Sequence, residues 1–237
     1  MNKPTTTPHF SRPAFVTEAQ KQFEALLASH PRLKFVDAVL ADIHGVLRGK
    51  RLPVGEAAKL FETGMQITHS IYFMDVRGEM TNPFGRGFGD GDPDGTAWPI
   101  PGTITPVWGD GPPRAQIMMT LRDDDGGVNA GEPRAVLERV LERFTDLKLT
   151  PVSALELEFY LIDAKRNSRG APQPPLCPRT GERENSIQVY GMDDLNRYDG
   201  FFSALNVAAE VQKIPLSAAS SEYAPGQFEA NLRHQKD

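Results

Sequence analysis

The sequence predicts an α+β chain built in two modules. Three observations carry this. Short apolar runs of strand length, such as Leu33–Ala41 and Ala115–Leu121, recur through the first 125 or so residues. Two longer segments, Glu132–Leu147 and Asp193–Val211, have helical period. Between the two regions lies a turn cluster, Asp123-Asp-Asp-Gly-Gly127, that reads as a boundary.

Residues 1 to about 14 are rich in Thr and Pro and read as a mobile arm. Thr17 is placed to cap a helix with Phe23, Leu26 and Leu27 on its apolar face, stopped by His30-Pro31, so residues 1–32 form an arm and helix. Leu33–Ala41 alternates as a strand, Asp42-Ile-His-Gly45 turns the chain, and Val46–Pro53 returns as a hairpin partner. Val54–Gly64 suits a short helix closed by Gly64, and Tyr72–Glu79 is strand-like. From Asn82 to Pro113 the chain is dense in Gly, Pro and Asp, and Asn82–Gly95 has no clear period, which reads as a long functional loop. Ala115–Leu121 is the next strand. The helix over Glu132–Leu147 has Pro133 in its first turn and a core stripe of Val136, Leu137, Val140, Leu141 and Phe144. A strand follows over Ala154–Asp163, then a polar loop, Arg166–Asn185, that holds Cys177. The helix over Asp193–Val211 buries Phe201, Phe202, Leu205 and Val207, and Ser217–Leu232 reads as strand, turn, strand.

The totals exclude several classes. A formal net charge of −5 argues against a nucleic-acid surface. A single cysteine excludes an internal disulfide and fits a reducing compartment. No apolar run approaches the roughly 18 residues of a membrane span, and the first ten residues lack an apolar signal core, so a soluble cytoplasmic protein is expected.

The chemistry concentrates in acids. Glu156 and Glu158 share one face of their strand, about 7 Å apart at the backbone, while Leu155, Leu157, Phe159 and Leu161 face a core. Two carboxylates on a buried strand repel and are costly to desolvate unless a cation joins them, and hard divalent cations take carboxylate oxygens. A second pair, Glu222 and Glu229, is seven residues apart, which a straight strand would place on opposite faces. Pro225-Gly226 breaks that strand, after which Gln227, Glu229 and Asn231 share one face and Phe228, Ala230 and Leu232 the other. All-oxygen ligation suits Mg²⁺ or Mn²⁺ rather than Zn²⁺. Other residues read structurally. His44 is a turn residue, and His69 and His234 show no partner. Arg48, Lys50 and Arg51 edge a hairpin. Gly85, Gly87 and Gly89 lack the following helix of a phosphate-binding loop, and Cys177 lacks a paired His motif.

Four stretches resemble one family. Ala154-Leu-Glu-Leu-Glu-Phe-Tyr-Leu161 and Ser221-Glu-Tyr-Ala-Pro-Gly-Gln-Phe-Glu229 resemble the metal-binding strands of the glutamine synthetase family. Arg48-Gly-Lys-Arg-Leu-Pro53 and Gly91-Asp-Pro-Asp-Gly-Thr-Ala-Trp98 resemble its N-terminal β-grasp module. The wording is closest to the branch of γ-glutamyl–amine ligases that use polyamines or ethanolamine-like amines. The resemblance implies a β-grasp domain over residues 33–125 and the first part of a glutamine-synthetase-type α/β catalytic domain over 130–237. It implies Glu158, Glu222 and Glu229 as ligands of a metal on the glutamate and amine side, and Glu156 as a ligand of a second metal that holds the ATP phosphates. Asp75, in Tyr72-Phe-Met-Asp-Val-Arg-Gly78, matches the catalytic acid that the β-grasp module presents to a neighbouring subunit. The implied cofactor is Mg²⁺ or Mn²⁺ with ATP as co-substrate. The implied partners are glutamate, an amine and further copies of the chain in a ring, a dodecamer at full length, with no nucleic acid and no membrane. Family members are nearly twice this long, so their His loop, remaining metal-site Glu and substrate-gripping arginines are expected beyond Asp237.

The expected activity is ATP-dependent ligation of the glutamate γ-carboxylate to an amine through a γ-glutamyl phosphate. Two alternatives stand beside it: a non-catalytic remnant or fragment of such a ligase, and a divalent-metal phosphoesterase or nuclease. A half-built second module is also expected to leave open strand edges and exposed apolar surface near Ser217–Asp237.

Overall fold

The computed structural model describes residues 12–85, 87–123, 126–185 and 188–236. Most of the expected N-terminal arm, through residue 11, lies outside the described residues. The chain divides into two units, one ending at Leu147 and the other beginning at Lys148.

In the first unit, α1 (Val16–Ser29) forms because Val16, Ala19, Phe23 and Leu26 recur at helical spacing and are buried together. It ends just ahead of His30-Pro31, as expected. Thr17 does not cap it. Thr17 lies inside the first turn, where its hydroxyl accepts a hydrogen bond from Arg12 at 2.8 Å. β1 (Phe35–Ala41) and β2 (Leu47–Pro53) form the expected antiparallel hairpin. Asp42 builds its turn by accepting the N–H groups of His44 (2.8 Å) and Val46 (2.9 Å) and the Arg48 guanidinium (2.7 Å). Burial alone would raise the Asp42 carboxyl, but these donors hold it below its ordinary range.

A 3₁₀ turn (Val54–Glu56) and α2 (Lys59–Glu62) replace the single helix expected over Val54–Gly64. The strands β3 (Met65–Thr68), β4 (Asp94–Pro99), β5 (Thr105–Val107) and β6 (Arg114–Arg122) complete a six-stranded sheet of order β2-β1-β6-β4-β3, with β5 also on β6. β1 runs parallel to β6, and the other pairs are antiparallel. The long loop expected over Asn82–Pro113 therefore contains two strands. β4 was unreadable as one because Gly95 through Pro99 are all buried, so no alternation marks it. The strand expected over Tyr72–Glu79 is absent. His69–Phe73 is a 3₁₀ turn, and Asp75 closes a tight turn by accepting the N–H groups of Arg77 (2.8 Å) and Glu79 (2.9 Å). His69, expected to lack a partner, is buried and accepts the Asn129 amide at 2.6 Å.

The core of this unit packs Val36, Ala38 and Leu40 of β1 and Ile117, Met119 and Leu121 of β6 with residues of α1 and α2, which meet in a Phe23–Phe61 ring stack at 5.1 Å. β6 leads to buried Glu132, which precedes α3 (Pro133–Asp146) and accepts the Thr120 hydroxyl at 2.8 Å. Pro133 sits in the first turn, as expected, but the apolar stripe of α3 is not core: Leu137 is 56% exposed.

The second unit opens with a two-stranded ribbon of β7 (Val152–Ser153) and β11 (Gln235–Lys236). Its main sheet has the order β8-β10-β9, all antiparallel: β8 (Glu156–Tyr160), β9 (Leu216–Ser221) and β10 (Gln227–Leu232). The helix expected over Asp193–Val211 is two helices, α4 (Met192–Arg197) and α5 (Asp199–Gln212), broken at Tyr198. Tyr198 turns inward there. With Phe202 and Phe159 it surrounds Phe228, at ring distances of 5.3, 5.3 and 6.3 Å. This aromatic cluster covers one face of the sheet only in part. Leu155 and Leu157, expected in the core, are 61% and 53% exposed, and β8 and β9 are edge strands.

Candidate metal-binding face

The register of the second sheet decides where the acids stand. Glu229 on β10 is opposite Glu158 on β8 and Ser220 on β9, and Asn231 is opposite Glu156. The ladder continues past β9, because the Glu222 N–H donates to the Gln227 carbonyl at 2.9 Å. Side chains alternate along each strand, so Glu156, Glu158, Glu222 and Glu229 all fall on one face, with Gln227, Asn231 and Ser220. Phe159, Phe228 and Ala230 take the other face. The Pro225-Gly226 turn makes this possible by reversing the chain between Glu222 and Glu229. Gly226 is required there: its φ is +78°, and a Cβ would stand 2.6 Å from the Leu161 carbonyl oxygen and 2.5 Å from Pro175 Cδ.

Glu158 and Glu229 form a like-charged cross-strand pair, with Cβ atoms about 5 Å apart for directly opposed residues. Glu222 is a diagonal step from Glu229, about 7–8 Å for such neighbours. The Gln227 amide donates to Glu158, the Asn231 amide donates to Glu229 at 2.6 Å, and the Ser220 hydroxyl donates to Glu222 at 3.2 Å. Two carboxylates thus face each other while the other two stand further off. Among the described residues, no three Asp, Glu, His or Cys side chains are grouped to hold one ion. Glu156 and Glu158 are exposed, not buried, so water screens their charges and the desolvation penalty expected for them does not arise. In kind, the donors are oxygens alone and fit a hard divalent cation. Asp75 belongs to the first unit, half-buried in its turn.

A second acidic cluster lies at the closed end of the β9–β10 hairpin. The Glu184 and Asp194 side chains are 5% and 13% exposed. Arg197 reaches Glu184 at 3.2 Å, Asp193 at 3.0 Å and Asp194 at 3.8 Å. Burial, and then the Glu184 charge, push the Asp194 carboxyl above its ordinary value. The spacing of Asp193 and Asp194 from Arg197 at i,i+4 and i,i+3 was a readable signal for part of this cluster. Glu184, on a loop, had none.

Residues 130–237 match the profile described as the glutamine synthetase catalytic domain. This segment is similar to that family. It includes the whole acidic face. Among curated relatives, the chain is 38% identical over 221 residues to the gamma-glutamylputrescine synthetase PuuA of Escherichia coli (strain K12), covering 93% of this chain and 46% of that protein. It is 28% identical over 204 residues to a glutamate–isopropylamine ligase of a Pseudomonas species, covering 81% of this chain and 42% of that protein. The chain therefore spans about half the length of the curated relatives it matches. A crystal structure of a glutamine synthase homologue superposes with a TM-score of 0.69 at 20% identity, over 86% of this chain and 44% of that one. A GmaS–ADP complex superposes at 0.67 and 21% identity, over 90% and 44%. These likenesses establish the α+β fold.

Proposed function

We propose that this chain serves an ATP-dependent ligase joining the γ-carboxylate of glutamate to an amine, with a polyamine as the favoured class. The observation that carries this reading is the shared face of Glu156, Glu158, Glu222 and Glu229 within the glutamine-synthetase segment. A carboxylate is a poor acyl donor because its oxygen leaves poorly, and phosphorylation by ATP to a γ-glutamyl phosphate removes that obstacle. Glu158, Glu222 and Glu229 would hold one Mg²⁺ or Mn²⁺ and Glu156 would contribute to a second. A bound divalent ion supplies neutralisation of phosphoryl charge. In the same reading residues 33–125 are a β-grasp domain that offers Asp75 to a neighbouring subunit in a ring, possible as a dodecamer of the full-length protein, and residues 130–237 are catalytic. The relatives' names and their coverage of the chain support it. The test is phosphate release from ATP and Mg²⁺ with glutamate and a panel of amines. Release that depends on both glutamate and amine supports the ligase, and its absence with every amine rejects it for this chain.

One observation favours a second reading. Because Glu158 and Glu229 face each other and no group of three acids is found among the described residues, a chain that binds a cation without turnover fits the same face. Metal binding without amine-dependent phosphate release selects it.

A further inference from the structure

We propose that Asn129 and His69 form a buried lock that sets where Asp75 stands, which makes Asn129 a positioning residue for the ligase. The catalytic use of Asp75 rests on the ligase reading; the lock itself rests on geometry. Asp75 sits in a tight turn that hangs from the 3₁₀ turn His69–Phe73. Its root is Phe73, whose carbonyl accepts the Thr81 N–H at 2.9 Å and the Thr81 hydroxyl at 2.6 Å. Beyond the root, the Met74–Met80 bridge and the Asp75 N–H on the Glu79 carbonyl at 2.8 Å carry the turn. An exposed contact, His44 Nε2 to the Met74 carbonyl at 3.2 Å, braces it from the β1–β2 turn. The place of Asp75 therefore depends on what holds His69–Phe73.

Asn129 is buried, and both ends of its amide are used. Its oxygen accepts the Gly131 N–H at 2.9 Å, and its nitrogen donates to Asp123 at 2.8 Å and to His69 Nδ1 at 2.6 Å. A backbone N–H only donates and an ionised carboxylate only accepts, so these partners fix which way the amide points. The NH₂ group is then what meets the imidazole. The imidazole is also pinned from β4. A Cβ on Gly95 would stand 2.8 Å from His69 Cε1 and Nε2 and 2.5 Å from the Arg122 carbonyl oxygen, so the glycine keeps room for the ring. Ser70 follows, its N–H and hydroxyl donating to Asp92 at 3.3 and 2.9 Å. At the far end the Phe73 ring is crowded by Gly131, where a Cβ would stand 3.1 Å from it. Asn129 and Gly131 both lie between β6 and α3, so this one segment grips the 3₁₀ turn at both ends. Truncating Asn129 removes three hydrogen bonds at once from a buried site, where each counts.

Amide hydrogen exchange of the 237-residue chain, read by nuclear magnetic resonance, tests the lock without requiring turnover. In Asn129→Ala the amides of Asp75, Gly78 and Thr81 should exchange about tenfold faster or more, the scale of a buried hydrogen bond, while that of Gly45 keeps its rate. His69→Leu should do the same. His69→Asn keeps an acceptor near the place of Nδ1 and should recover at least half of the protection. Val36→Ala gives the effect of general destabilisation, since Val36 pairs with Ala115 at the other end of β6. Unchanged exchange at Asp75 in Asn129→Ala overturns the lock. So does equal acceleration in Val36→Ala at a matched urea midpoint, or in His44→Ala. If Asn129→Ala does not fold, the two His69 variants decide alone, and equal rates in both overturn the lock.

The phosphate-release assay then tests the positioning role. Asn129→Ala should lower kcat about ten- to a hundredfold, as a misplaced group does, and leave the KM for ATP unchanged. Faster exchange with an unchanged kcat overturns that role. Turnover by the parent with unaltered exchange in the variants removes the lock and leaves the ligase. A parent without turnover removes the ligase, and the exchange rates still judge the lock.

Discussion

Glu158 and Glu229 face each other directly across β8 and β10, each held by a neighbouring amide. Like charges in directly opposed positions oppose strand pairing. The sheet tolerates the pair because Glu158 is exposed to water and because Gln227 and Asn231 each donate to one carboxylate. A divalent cation placed between them would turn that repulsion into ligation.

Two outcomes follow from the pair. Titration with Mn²⁺, read by electron paramagnetic resonance, should show binding that falls about tenfold or more in Glu158→Gln or Glu229→Gln, since each removes a charged ligand. Without metal, Glu229→Gln should raise stability to urea by about 0.2–1 kcal/mol, the scale of a cross-strand charge pair. Unchanged Mn²⁺ affinity in both variants would remove the face as a metal site.

The legible parts of this chain are those where one face is wet and the other dry. β1 and most of β6 alternate in sequence because they alternate in burial, and α1 shows its stripe for the same reason. β4 is dry on both faces and left no pattern. Tyr72–Glu79 carries apolar residues in strand-like order, yet Asp75 supplies a side-chain acceptor that favours a turn over a ladder. The acidic face was legible because Pro225-Gly226 announced the chain reversal. Glu184 was not, because loop residues converge by tertiary path rather than by spacing. Leu155, Leu157 and Leu137 were misread as core, since periodicity reports an apolar face and not what lies against it.

Gly226 sets the geometry of the acidic face. Ala at this position must adopt a left-handed backbone and drive a methyl against the Leu161 carbonyl and the Pro175 ring. Gly226→Ala should destabilise the chain by about 1–3 kcal/mol, the range for such backbone strain, and weaken Mn²⁺ binding with it. Equal urea midpoints for parent and variant would show that the turn has another conformation open to it.

Glu132 gives stability a pH dependence of stated sign. Burial raises its carboxyl above the ordinary 4.5, against the opposing bonds from the Thr120 hydroxyl and the Leu121 N–H. Between those two values the folded state binds more protons than the unfolded chain. Its contribution is therefore full below about pH 4.5 and is lost as pH rises through the folded value. Tyr72, buried beside it, is itself pushed well above the usual tyrosine range, so it stays neutral throughout. Glu132→Gln keeps the shape and removes the titration. Subtracting the variant's stability from the parent's at each pH should leave a difference that falls as pH rises. A flat difference from pH 4 to 8 would show that folding leaves Glu132 unshifted.

Phe228 ties the hairpin to the helices. It is 2% exposed and contacts the rings of Phe159, Tyr198 and Phe202, on β8, at the α4–α5 break and on α5. Little else covers this face of the sheet, since Leu155 and Leu157 stand in solvent. Phe228→Ala should therefore cost about 3–5 kcal/mol, the usual range for a buried phenylalanine, and release the near-ultraviolet dichroism of the ring cluster. Phe228→Leu refills most of the volume and should recover more than half of the loss. The acidic face depends on the same strand, so Mn²⁺ affinity should follow stability across the two variants: strongly reduced in Phe228→Ala and close to the parent in Phe228→Leu. A loss below about 1 kcal/mol in Phe228→Ala, far under the cavity range, would mean that the helices do not hold this sheet.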